Sequence, residues 1–332
     1  MSFDFDSFDD DPLSTSDRWN SRSASRAVPA AHKRRKPKKT AGQILAELAE
    51  APHVAEDLLE FTYQPARHEA IWLRESLQPF FDQALIEDVL ALVKGGKEAN
   101  VYLCRATPQL GTPYLAAKVY RPRQFRNLRN DQIYREGREL LTSLGVPIKN
   151  RDTREMRAIR NKTSYGAELT HISWLMYEYL TLQRLYELGA AVPRPFSAAD
   201  NALLMAFIGD VQQPAPVLHG QTLPPEKAGQ LFHAVLSNVE LMLQHGLIHG
   251  DLSAYNILYW EQTITLIDFP QVTLSEGNHN AYTLLHRDLQ RVCEYFAQQG
   301  VYQNASALTA QLWKQYVRTA PNQTLSDGYD PA

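Results

Sequence analysis

Gln244-His-Gly-Leu-Ile-His249-Gly-Asp251-Leu-Ser-Ala-Tyr-Asn256-Ile-Leu258, followed by Thr265-Leu-Ile-Asp268-Phe-Pro-Gln271, is the stretch whose reading decides the fold. It offers an aspartate, an asparagine five positions on, and a second aspartate after a short hairpin. Phosphoryl transfer needs such a set: one carboxylate to orient a hydroxyl and two oxygen ligands to hold Mg²⁺ on phosphates. Leu247-Ile248 and Ile257-Leu258 are apolar pairs that anchor a loop to a core, and Ile264 to Ile267 is a β-prone run ending at Asp268. Both acids are therefore expected at the ends of buried segments facing one cleft. Taken singly, His-Gly-Asp reads equally as a surface turn and Ile-Asp-Phe as a strand end; order and spacing together favour the site.

Upstream, Glu226 to Gln244 has the spacing of an amphipathic helix, with Leu231, Val235, Val239 and Met242 on one side and Gly246 ending it. Pro214-Ala-Pro216 and Pro224-Pro225 mark an extended link before it. Earlier still, Ala202 to Gly209 reads as a buried strand running into a glycine, and Trp174 to Leu185 as a helix stopped by Gly189. Val89 to Val93, Val101 to Cys104 and Leu115 to Tyr120 read as strands, the first two joined by the loop Lys94-Gly95-Gly96-Lys97-Glu98-Ala-Asn100. Glycines allow close backbone approach to phosphate, and loop N–H groups cradle it, although hairpins also use Gly-Gly routinely. Lys118 sits inside the third strand, where an unpaired ammonium is costly, so a partner is expected; Glu178 in the Trp174 helix is the candidate.

His-Gly-Asp-x4-Asn with Ile-Asp-Phe resembles both the aminoglycoside and choline kinase type of small-molecule kinase and the RIO kinases, an atypical protein-kinase family. Conventional protein kinases carry Arg at the place of Gly250, Lys at Ser253 and Gly at Pro270. Pro270-Gln271 is similar to the RIO ending, where small-molecule kinases place another acid, and Gly96-Lys-Glu-Ala-Asn-Val101-Tyr resembles the RIO phosphate loop. The third glycine of the usual loop is missing, and Gly95 replaces the Ser or Thr common in RIO proteins. Val192-Pro-Arg-Pro195 matches the Pro-x-Pro that follows the glutamate helix in that pattern.

The resemblance implies an α+β, bilobal protein-kinase-like fold: an N-lobe antiparallel sheet with one helix, and a reduced helical C-lobe without a conventional activation segment. Only 64 residues follow Asp268, which suits that reduction, with one helix carrying Leu285, Leu289, Val292 and Phe296 and another near Leu308 to Val317. It further implies a serine/threonine kinase or ATPase using ATP and Mg²⁺. Asp251 would act on the attacking hydroxyl or water, Asn256 and Asp268 would hold the metal, and Lys118, held by Glu178, the α/β-phosphates. Gly95, Gly96, Lys97, Glu98 and Val101 would surround the nucleotide, and Met205, Phe207 and Ile208 the adenine. Phosphorylation of the metal-site aspartate is also linked to the family and would fall on Asp268. A small-molecule kinase, or a pseudokinase that binds RNA or ribosomes, are the alternatives.

The expected organisation is a disordered acidic and basic tail over 1–40, a short helical extension over 41–84 with helices within 41–61, an N-lobe and hinge over 85–209 and a C-lobe over 210–332. The 332 residues are 44% hydrophobic and 21% charged, enough for a bilobal domain plus a tail. No apolar run approaches a membrane span and the start does not read as a signal peptide, which together point to the cytoplasm and no membrane partner. Cys104 and Cys293 lack metal-ligand neighbours and are expected as buried thiols. Residues 118–162, which include a basic insert at 121–162, hold 13 Lys and Arg against 5 acids in a chain of net charge −3. Arg151, Arg154, Arg157 and Arg160 recur every third residue, so on a helix they form a slowly drifting basic stripe, read either as a solvated excursion or as a dock for RNA or a ribosomal particle.

Overall fold

Strand-forming residues around Lys118 assemble a five-stranded antiparallel sheet. In this computed structural model β1 (Ile86–Gly95), β2 (Ala99–Ala106) and β3 (Tyr114–Tyr120) form a meander, and β4 (Pro195–Ala199) and β5 (Ala202–Ala206) complete the order β1-β2-β3-β5-β4. The structure describes residues 61–121, 134, 136, 138–148 and 153–317, so the tail and nearly all of the segment expected to hold paired helices lie outside the described residues.

Side chains alternate across a strand. On one face, Tyr102, Cys104, Leu115, Ala117 and Val119 are buried against Leu73, Leu77 and Phe80 of α1 (Arg67–Asp82). Each such apolar side chain withdrawn from water contributes about 1.5–3 kcal/mol. The other face pairs Val101 with Lys118 across β2 and β3, and Lys118 with Leu203 across β3 and β5. Leu203 packs with Trp174, Leu175 and Met176 of α3 (Ser164–Glu187), which covers that part of the sheet.

The α3 helix starts ten residues before the expected Trp174, because Thr163 caps it, its side chain accepting from Gly166 N–H at 3.1 Å. α2 (Arg154–Arg160) abuts that start so closely that a Cβ on Gly166 would lie 2.1 Å from the Ala158 carbonyl oxygen. The expected strand from Ala202 to Gly209 ends at Ala206; beyond it the Ile208 carbonyl accepts from Ala215 N–H at 2.9 Å as the chain turns away.

In the second half, α4 (Pro225–Gln244) buries Leu231, Phe232, Val235, Val239 and Met242 against Leu285, Leu289, Val292 and Phe296 of α5 (Ala281–Gln298) and Leu312 of α6 (Ala305–Tyr316). On this core lie two small antiparallel pairs, β6 (Leu247–Ile248) with β9 (Thr273–Leu274) and β7 (Ile257–Trp260) with β8 (Thr263–Leu266). They deliver Asp251 and Asp268 from buried strand ends. Cys104 and Cys293 are both buried and unlinked. Among the described residues no helix is long and apolar enough to cross a membrane.

Candidate active site

Lys118 on β3 reaches two carboxylates at once. Its Nζ lies 2.6 Å from Glu178 Oε1 on α3 and 2.6 Å from Asp268 Oδ1 in the loop after β8. Tyr120 OH donates to the other Glu178 oxygen, and its ring lies 5.3 Å from the Lys118 ammonium. The Lys118 and Glu178 side chains are 12% and 3% exposed, whereas that of Asp268 is 43% exposed and open to a ligand. Burial disfavours the Lys118 charge, but the Asp268 and Glu178 carboxylates outweigh it and hold the ammonium protonated. Burial pushes Glu178 upward against the pull of Lys118. Burial also acts upward on Asp268, where the Lys118 charge wins and holds the carboxyl below its usual range. The backbone of Asp268 sits at φ +73°, a left-handed conformation that costs a non-glycine residue about 1 kcal/mol or more and here aims its carboxylate at Lys118.

The Asp251 carboxylate is held from two sides. Oδ1 lies 2.8 Å from Arg291 Nη1, and Oδ2 lies 3.4 Å from Asn256 Nδ2, which also donates to the Asp251 carbonyl at 2.9 Å. The two loops are tied together by Ile267 N–H donating to the Asn256 carbonyl at 3.0 Å. His249 makes a second tie, its Nε2 lying 3.2 Å from the Ile267 carbonyl and its Nδ1 facing Asp251 N–H at 3.3 Å. One donor and one acceptor are what a neutral imidazole offers, and burial pushes His249 downward, toward that neutral form.

Below the loop, Asp288 of α5 accepts from Gly250 N–H at 2.7 Å and Leu252 N–H at 3.1 Å, gripping the amides of both residues that flank Asp251. Arg287 donates to the Gly250 carbonyl and, at 3.2 Å, to Tyr134 OH. Gly250 itself is at φ +80°, and a Cβ there would lie 2.3 Å from the Gln271 carbonyl oxygen. That contact explains why the arginine of conventional kinases has no room at this position.

The loop between β1 and β2 is braced from within. Gly95 pairs with Asn100, whose Oδ1 accepts from Gly96 N–H at 3.3 Å and from Arg121 Nη2 at 3.3 Å. Asn100 Nδ2 donates to Tyr102 OH at 2.9 Å, and that hydroxyl to Glu69 Oε1 of α1 at 2.5 Å. Lys97 at the tip is exposed, while Glu98 is half-buried with its carbonyl accepting from Arg121 N–H at 2.8 Å. Val101 lies opposite Lys118 on the cleft face. Met205 packs on both the α3 cluster and the C-lobe core, where the lobes meet, and Phe207 and Ile208 follow it half-buried.

Sequence pattern alone missed several members of this site: Tyr120, Asn100, Asp288, Arg287 and Arg291. All but Asn100, which braces Gly96 and Tyr102 within its own hairpin, act through tertiary contacts that no local spacing announces. Arg138, within the basic insert, is another. Its two terminal nitrogens both lie 3.3 Å from the Pro270 carbonyl, and its guanidinium stands 4.5 Å from the Tyr177 ring, joining the loop after β8 to α3.

A five-stranded antiparallel lobe and a helical lobe, with Lys118, Glu178, Asp251 and Asp268 between them, define the protein-kinase-like fold in a reduced form. Residues 100–308 match the RIO domain, and the chain belongs to the RIO family. It is 29% identical to the serine/threonine-protein kinase RIO1 of Chaetomium thermophilum, over 65% of this chain and 41% of that protein. It is 26% identical to the RIO-type serine/threonine-protein kinase Rio1 of Haloferax volcanii, over 70% of this chain and 75% of that protein. Thus the chain spans about two fifths of the fungal relative's length and three quarters of the archaeal one's. The crystal structure of the Rio2 kinase–ADP/Mg²⁺–phosphoaspartate complex from Chaetomium thermophilum shares the fold with a TM-score of 0.54 at 18% identity, covering 83% of this chain and 75% of that one.

Proposed function

We propose that this chain is a RIO-type phosphotransferase, a serine/threonine kinase or ATPase that uses Mg-ATP. The observation that carries the reading is the meeting of Lys118, Glu178 and Asp268 at 2.6 Å, from positions 60 and 150 residues apart. One cation shared by two carboxylates leaves the trio one negative charge in excess, a setting that suits an added divalent cation. Mg²⁺ is usually held by one or two carboxylates together with substrate phosphates. Asp268 and the Asn256 amide oxygen form a donor set of that kind, since Asn256 Nδ2 is spent on Asp251. The metal's part, when bound, is to neutralise charge on the transferred phosphoryl group. Lys118 would bind the α/β-phosphates, Glu178 and Tyr120 would hold Lys118 in place, and the backbone beside Met205, Phe207 and Ile208 would take adenine. Asp251 would orient the acceptor hydroxyl or water and take its proton. A cytoplasmic setting is part of this proposal.

Asp251→Asn tests it. Phosphoryl transfer should fall about 10²–10⁴-fold while ATP binding persists, because the side chain acts on the nucleophile. Unchanged turnover at saturating ATP would defeat the assignment. Asp268, exposed and turned toward Lys118, also suits the aspartyl-phosphate route that the related phosphoaspartate complex brings to mind. Label from γ-³²P-ATP that hydroxylamine removes from the wild type supports that route; label wholly resistant to it leaves the ester-forming kinase. As for partners, docking of the basic segment 118–162 on RNA or a ribosomal particle is proposed from its charge and from the exposure of Arg154, Arg157 and Arg160 on α2.

A further inference from the structure

Arg291 projects from α5 onto the catalytic loop, and its Nη1 takes Asp251 Oδ1 at 2.8 Å. Among the described residues Asp251 is its one hydrogen-bonding partner. The pair is reachable, the two side chains being 40% and 35% exposed beside the proposed base. A turn earlier on the same helix, Arg287 adds a second guanidinium at the Gly250 carbonyl. Of the acids nearby, Asp288 is buried and committed to the Gly250 and Leu252 amides, and Glu294 accepts from Gln290 at 2.8 Å. Arg291 and Arg287 thus set two guanidinia beside Asp251, a local arrangement that disfavours a cationic acceptor such as an amino sugar or choline.

Resting on the phosphotransferase reading, we propose that Arg291 is the acceptor-selecting residue, and that the acceptor is a serine or threonine hydroxyl flanked by carboxylates in an acidic peptide. A guanidinium prefers a carboxylate in bidentate geometry. An incoming acidic side chain exchanges with Asp251 on the fork, which does two things: it docks the acceptor, and it frees Asp251 Oδ1. The released oxygen takes the hydroxyl proton as the hydroxyl oxygen bonds to the γ-phosphorus. The bond from that phosphorus to the β–γ bridging oxygen breaks, its electron pair leaving with ADP. An acceptor without the anion leaves the base paired to Arg291, so selectivity acts on the rate of transfer as well as on binding.

The experiment uses the full chain, Mg-ATP and three synthetic serine peptides that differ only in their flanks: aspartates, asparagines or lysines. In the wild type kcat/KM for the aspartate peptide should exceed that for the asparagine peptide by about tenfold or more, as a charge-assisted contact warrants. Arg291→Ala should bring that ratio to about one, Arg291→Lys should keep most of it, and Arg291→Glu should move the preference to the lysine peptide. A merely structural arginine would lower all three rates together and leave their ratios alone. A wild-type ratio near one, or the same ratio in wild type and Arg291→Ala, overturns the proposal. ADP release without peptide is read in parallel: release with none of the peptides labelled overturns the acceptor assignment alone. Neither ADP release nor label defeats the phosphotransferase reading and this proposal with it.

Discussion

Asp288 shows how much one buried side chain sets at this site. Its two oxygens grip Gly250 N–H and Leu252 N–H, so the residues on either side of Asp251 are fixed by an acid 37 residues further on. Burial pushes the Asp288 carboxyl up to about 7, against the pull of the Gly250 amide and Arg287. In the unfolded chain an aspartate titrates near about 4. Between those values the folded protein keeps a proton that the unfolded chain has released. This group's contribution to stability is therefore full below about pH 4 and lost as pH rises through about 7. Asp288→Asn removes the titration and leaves one acceptor oxygen for two N–H donors, which is expected to cost about 1–3 kcal/mol of stability and part of the turnover. Urea unfolding of both proteins checks it: the gap between them should be wider at pH 5 than at pH 8, and a gap that grows toward pH 8 contradicts the assignment.

Among the elements, α2 carries the exposed arginines from which docking on RNA is proposed. Arg154, Arg157 and Arg160 are all exposed along its seven residues, with Arg154 standing 5.5 Å from the Tyr165 ring; Arg151 lies outside the described residues. If the stripe binds structured RNA, affinity falls steeply with salt, and changing all four arginines to Ala should flatten the slope of log K against log[salt] by up to about 3 units. Basal ATP hydrolysis should stay close to wild type. An unaltered slope, or no RNA binding at low salt, leaves α2 without this role. Elements such as α4, α5 and β1 to β3 were legible because each buries one regular face, whether at Leu231, Val235, Val239 and Met242 or at Leu285, Leu289, Val292 and Phe296. β4 was not, since all five of its residues are half-buried and no alternation marks them. The start of α3 was hidden for a different reason: its first two turns are set by the Thr163 cap and by contact with α2, not by an apolar stripe. α1 does carry Leu73, Leu77 and Phe80 at helical spacing, but Pro79 sits within it and obscures the pattern.

Across the whole molecule, the residues that announce themselves in sequence are those whose chemistry is tied to a local motif: Asp251, Asn256, Asp268 and Lys118. Those that stayed silent, Asp288, Arg291, Tyr120 and Arg138, do their work over tertiary distances of 36 to 132 residues. The clearest such link joins the lobes themselves, for Lys118 belongs to the sheet and Asp268 to the helical half, and the two meet at 2.6 Å. On the proposed reading Mg-ATP engages both at once, so it should cross-link the lobes and shift unfolding by mass action. A ligand at one hundred times its Kd stabilises by about 2.7 kcal/mol. Thermal unfolding is expected to move upward with Mg-ATP, and much less with ATP in the presence of EDTA, because without the metal the nucleotide has no hold on Asp268. Asp268→Ala should lose most of the difference between those two conditions while keeping the smaller shift that Lys118 and the hinge provide. Equal shifts with and without Mg²⁺ in the wild type would place the nucleotide's grip elsewhere than on Asp268.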